Sequence, residues 1–80
     1  PSGMATAQLL VARLKARFPR MGKFHVISLR ELNQQIMETA ELIITTVPIP
    51  TGHTKDPKNI IQVHPLLLPE DVEKLTRWLG

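Results

Sequence analysis

Apolar residues recur at helical spacing near the start of the chain. Leu10, Leu14 and Phe18 fall four residues apart, with Ala7 and Val11 on a flanking row, which predicts a helix over residues 7–18. Arg13, Arg17 and Arg20 line a different face of it. Pro19 ends the pattern, because a proline disfavours helical geometry in the residue before it. Gly22 supplies a turn. Residues 24–28, Phe-His-Val-Ile-Ser, form a short β-prone run. Ser28 and Glu31 then stand at capping-box spacing, and Leu29, Leu32, Ile36 and Ala40 follow at helical spacing, so a helix is expected over residues 29–38.

The next run changes period. Residues 42–47, Leu-Ile-Ile-Thr-Thr-Val, are almost all β-branched, the pattern of a strand buried on both faces of a parallel sheet. Pro48, Pro50, Gly52 and Pro57 make residues 48–58 a loop, and Ile-Ile-Gln-Val-His at 60–64 predicts a third strand. Pro65 breaks the pairing. Pro69 suits the first turn of a last helix, where Glu70 and Asp71 complement the dipole. Val72, Leu75 and Leu79 line one face of that helix, and Lys74 and Arg77 sit towards its end. Helix, strand, helix, strand, loop, strand, helix is an α/β order: a parallel sheet with flanking helices, in one domain over residues 1–80. A strand before residue 1 would complete the alternation and is expected there.

Composition narrows the class. With 80 residues, 42% hydrophobic and 21% charged, the chain reads as one small globular domain. No apolar run approaches the roughly 18 residues of a membrane span, so no membrane insertion is expected, and no signal-peptide pattern opens the chain. The absence of cysteine excludes disulfides, thiolate metal sites and a cysteine nucleophile within these residues. The net charge of +3 is uneven. Residues 1–30 hold six basic residues and no acidic one, whereas residues 31–80 hold four basic and seven acidic. The basic part reads as a solvated helix face or as an attractor for phosphate, nucleic acid or an acidic protein. The three aromatics, Phe18, Phe24 and Trp78, all stand at core-type positions. No stacking platform interleaves with the basic residues, so no direct nucleic-acid contact by this domain is expected.

The segment with the most chemistry is Pro1-Ser2-Gly3-Met4-Ala5-Thr6-Ala7, which runs into the first helix. Small residues let backbone N–H groups crowd round an anion, and the helix start adds partial positive charge. The same residues read equally as a plain N-cap at Ser2 or Thr6. Neither a Walker A loop nor a dinucleotide fingerprint is present. His25, His53 and His64 lack metal-ligand spacing, so no metal and no cofactor are expected. His25 and His64 fall in expected strands and should be packed or hydrogen-bonded there.

Four blocks carry a family resemblance: P-S-G-M-A-T-A-Q-L-L at 1–10, V-I-S-L-R-E-L at 26–32, L-I-I-T-T-V-P at 42–48 and V-H-P-L-L-L-P-E-D-V-E-K-L at 63–75. Together they resemble galactitol-type enzyme IIB domains of the bacterial phosphotransferase system. The subgroup they resemble is the IIB-like domains inside transcription regulators with phosphotransferase regulation domains, such as mannitol operon activators and antiterminator-like proteins. The resemblance implies a flavodoxin-like sheet whose first strand is missing here, leaving the chain N-terminally truncated. It implies a phospho-acceptor cysteine just before Pro1, with Ser2, Gly3, Met4, Ala5 and Thr6 as the phosphate cradle and Thr46, Pro48 and His53 as the border of the site. No catalytic residue then lies within the chain. The implied partners are a IIA-type phosphocarrier and neighbouring regulation domains of the same parent chain. The implied location is cytoplasmic, and a dimer would cover strand edges left open. Two alternatives stay open: a IIB phosphocarrier subunit of a sugar or polyol transporter, which would be a phosphotransferase component, and a degenerate protein-binding module without the acceptor.

Overall fold

Helix formation starts earlier than the apolar spacing indicates. In the computed structural model, which describes residues 2–49 and 59–80, α1 spans Ser2–Arg17. Its start lies five residues ahead of the expected one, because small, good helix formers such as Ala5 and Ala7 carry the helix back beyond the apolar stripe. Leu10 and Leu14 are buried, and Phe18 packs against them from just past the end of the helix. The Phe18 N–H still donates to the Leu14 carbonyl at 2.7 Å before Pro19 stops the run. Gly22 turns the chain at φ 98°, with nothing within 4 Å of where a Cβ would stand. Glycine is needed there for its backbone conformation, not for space.

Two expected elements come out differently. Residues 24–28 join no sheet. Phe24, Val26 and Ser28 are half-buried while His25 and Ile27 are exposed, so the strand-like alternation is present. A strand, however, exists only through ladder hydrogen bonds to a neighbour, and none pairs here. The continuous helix expected over 29–38 is broken. The Ser28–Glu31 capping box forms, with the Glu31 N–H donating to Ser28 Oγ at 3.2 Å and the Ser28 N–H donating to Glu31 Oε1 at 2.9 Å. It opens only a 3₁₀ turn, Leu29–Glu31. Leu32 and Asn33 then adopt extended backbone, and Asn33 Oδ1 accepts from the Ile36 N–H at 2.8 Å to start α2, Gln34–Thr39. An asparagine side chain that bonds its own downstream backbone competes with helix continuation.

The sheet has two strands, β1 (Ile43–Thr45) and β2 (Ile60–Gln62), paired in parallel with Ile43, Ile44 and Thr45 opposite Ile60, Ile61 and Gln62. The ladder runs one bond further at each end, from Ile43 N–H to Asn59 O at 2.7 Å and from Val63 N–H to Thr45 O at 2.8 Å. The chain is therefore α/β, with two strands among the described residues rather than three. β1 is half-buried throughout, not buried on both faces, because a two-stranded ribbon offers little to cover its second face. α3 spans Pro69–Leu79, with Pro69 in its first turn as expected. Leu10, Leu14, Val63 and Leu75 form the buried core, ringed by Phe18, Met21, Phe24, Leu42, Ile44, Ile61 and Leu67. The core thus lies between α1, the end of β2 and α3. Trp78 is not among the core residues and is 39% exposed near the end of α3.

Candidate functional site

The opening segment becomes the first turn of α1. The first N–H groups of any α-helix have no carbonyl four residues back to bond. Here that turn is built from Ser2, Gly3, Met4 and Ala5 and contains no acidic side chain. An anion approaching it would meet partial positive charge and no acidic side chain of the turn itself. Met4 and Ala5 are exposed, and Thr6 is half-buried. The far end of the helix carries Lys15 and Arg17, which complement the opposite pole of its dipole.

Thr46 and Pro48 stand beyond the carboxyl end of β1, Thr46 half-buried and Pro48 exposed. The side chain that shapes this turn is their neighbour Thr45. Its hydroxyl donates to the Val47 carbonyl at 2.8 Å and accepts from the Val47 N–H at 3.2 Å. Thr46 makes no hydrogen bond among the described residues. No described hydrogen bond or ion pair joins Met4 or Ala5 to Thr46 or Pro48. The structure places Ser2 to Thr6 together at the start of α1, and Thr46 and Pro48 just past the end of β1. His53 lies outside the described residues.

The histidines divide. His25 is exposed and in no strand, because the run it belongs to finds no partner. His64 is exposed just past β2, and its Nδ1 accepts from the Leu66 N–H at 3.0 Å, so it is hydrogen-bonded but not packed. The proton of the neutral ring in this geometry sits on Nε2. No group of three His, Cys, Asp or Glu side chains capable of holding a metal occurs among the described residues.

The most fully built polar centre is one the sequence does not single out. Asp71, 5% exposed, has Oδ2 accepting from the His64 N–H at 3.0 Å and from the Leu68 N–H at 2.9 Å. Lys74 Nζ lies 3.8 Å from its other oxygen and donates to the Gln62 carbonyl at 2.6 Å. With two N–H donors on one oxygen and an ammonium near the other, this carboxylate fastens the β2–α3 connection. Asn59 plays a similar part at the other end of β2. Its Nδ2 donates to the Met37 and Ala40 carbonyls, both at 3.1 Å, which ties the end of α2 to the sheet. A cue for Asp71 was present in the sequence: an acidic residue at the third position of a helix can reach back to the backbone N–H ahead of it.

No helix among the described residues is long and apolar enough to cross a membrane. Comparison with protein-family models, curated proteins and solved structures finds no match for this chain.

Proposed function

We propose that the chain is a regulatory phospho-acceptor domain of a bacterial sugar-operon transcription regulator, on a flavodoxin-like enzyme IIB plan, with its acceptor a cysteine just before Pro1. The observation that supports this reading most is the start of α1 at Ser2, inside the segment with the family-like pattern. A thiol placed just ahead of that turn would have its pKa lowered by the helix N-terminus and would be a nucleophile at neutral pH. Its thiolate would attack the phosphorus of a phosphohistidine on a IIA-type carrier. The S–P bond forms as the N–P bond breaks, and the imidazole nitrogen keeps the electron pair and takes up a proton. The backbone N–H groups of Ser2 to Ala5 would hold the phosphoryl oxygens during transfer. A phosphoryl group brings close to two negative charges and three acceptor oxygens, enough to rearrange a contact with neighbouring regulation domains in the cytoplasm. The parallel α/β architecture is compatible with this plan, in which Thr46, Pro48 and His53 border the site.

The test uses the parent chain with about ten further residues upstream, the length of a strand and its turn. It is incubated with phosphoenolpyruvate, the general carriers and a IIA protein, and its intact mass is read. The expected result is the gain of one phosphoryl group, abolished when the residue before Pro1 is replaced by alanine. No gain with any carrier overturns the reading.

A further inference from the structure

The far end of α1 carries a second surface. Arg13 and Arg17, one helical turn apart, form a lip of an open groove of about 540 Å³ whose remaining walls include Leu66, Leu67, Pro69 and Val72. A second concavity of about 510 Å³ shares Arg17 and continues past Phe18, Arg20 and Leu79. The two adjoin at Arg17, and the first has a basic edge along α1 and an apolar bed from the β2–α3 connection and α3. Arg13, Arg17 and Arg20 are exposed, and none has a side-chain hydrogen bond or ion pair among the described residues. No acidic residue occurs in residues 1–30 to neutralise them along their own helix. Leu66 is 57% exposed on the bed.

The apolar wall is held in place before anything binds. Leu67 has φ 54°, a left-handed conformation that costs a non-glycine residue energy and is kept only where surrounding contacts impose it. Those contacts are on hand: the Leu67 N–H donates to the His64 carbonyl at 2.8 Å, and Asp71 holds the His64 and Leu68 N–H groups. The turn lays Leu67 against the core and leaves Leu66 projecting at the groove. A prebuilt wall lowers the ordering cost of binding.

We propose that this groove docks an acidic amphipathic segment of a partner protein, with carboxylates one helical turn apart on Arg13 and Arg17 and apolar side chains on Leu66, Leu67 and Val72. An arginine fork pairs with a carboxylate through two parallel hydrogen bonds, which sets orientation as well as attraction. No aromatic side chain lines the groove between Arg13 and Val72, so it offers no stacking platform for nucleic-acid bases, and a protein carboxylate is the better match for its charge. At about 1.5 Å per residue, this lip lies roughly 15–20 Å along α1 from its first turn. The surface is thus separate from the proposed phosphoryl-accepting end, and its test needs no phosphoryl donor.

The probe is a fluorescently labelled synthetic helix with glutamates at i and i+4 and leucines on the adjacent face, titrated with the chain and read by anisotropy. Binding is expected, weakening as salt rises. The double variant R13E/R17E should lose about tenfold or more in affinity, and Leu66→Ala about fivefold, near 1 kcal/mol of buried apolar surface. Backbone amide shifts should move at Leu66, Leu67 and Val72. Both arginines are exposed, so circular dichroism should be unchanged in the double variant; if it changes, R13Q/R17Q must show the same direction of loss. No binding of the probe overturns the proposal. So does unchanged affinity in the arginine variants, or equally tight binding of a polyglutamate or single-stranded oligonucleotide of the same charge.

Discussion

Asp71 shows how one side chain can set a loop. It is the one buried charged residue among the described residues, and its charge is matched by donors from three directions. Asp71→Asn keeps the shape, yet it replaces a charged acceptor with a neutral one and turns an amide N–H₂ towards Lys74. The expected cost is about 1.5–3 kcal/mol, the range for hydrogen bonds to a charged group. It should appear as a lower urea midpoint with an unchanged slope, together with faster amide exchange at His64 and Leu68. An unaltered midpoint would show that water serves these N–H groups equally well. Composition could place Asp71 in a first turn, where it helps the dipole. It could not show that the His64 N–H, seven positions back, would fold over onto the same oxygen. Gly22 and Leu67 make the same contrast. A positive φ at glycine is readable from residue type, whereas a positive φ at leucine is imposed by contacts made elsewhere.

At the scale of elements, the 3₁₀ turn at Leu29–Glu31 carries a pH dependence. The Glu31 carboxyl titrates below its ordinary value, chiefly through the hydrogen bond from the Ser28 backbone N–H and secondarily through the Ser28 side chain. A carboxylate whose folded pKa is lowered contributes fully above its unfolded value. That contribution is lost as the pH falls through the lowered folded value. Carboxyl shifts followed by NMR should therefore show Glu31 titrating below the ordinary glutamate value. Ser28→Ala should move it part of the way back, since the backbone N–H remains. Titration of Glu31 at the ordinary glutamate value would contradict the capping box. That box was legible because its two residues are local partners. The break at Leu32 and Asn33 was legible in principle, asparagine being a strong N-cap, but the apolar spacing from Leu29 to Ala40 runs across it and points the other way. The unpaired run at 24–28 could not be settled locally, because a strand depends on a neighbour distant in sequence.

Across the whole molecule, the core rests on few residues. Leu10, Leu14, Val63 and Leu75 are the buried hydrophobics, and Leu14 and Leu75 are the most completely enclosed. Leu14→Ala should cost about 2–5 kcal/mol, against a total stability of only about 3–5 kcal/mol for a single core of this size. The variant should be largely unfolded by circular dichroism at room temperature. Leu9→Ala, on the same helix but 61% exposed, should change stability by no more than about 0.5 kcal/mol. If the two variants behave alike, α1 is not anchored as described. α1 then serves three surfaces at once: its first turn is the proposed anion cradle, its Leu10–Leu14 stripe holds the core, and its Arg13–Arg17 edge forms the proposed docking lip.

By itself, the sequence determined the α/β class, the two strand runs around Ile43 and Ile60, the stop at Pro19, the turn at Gly22 and the start of the last helix at Pro69. Each of these follows from local sterics or from a short hydrophobic period, which a residue and its near neighbours settle between them. Only the tertiary structure decided that residues 24–28 stay unpaired, that Asp71 ties β2 to α3, that Trp78 remains outside the core, and that Arg13 and Arg17 face the Leu66 turn. Those outcomes depend on which distant groups come within bonding or packing distance, and a one-dimensional pattern does not carry that distance.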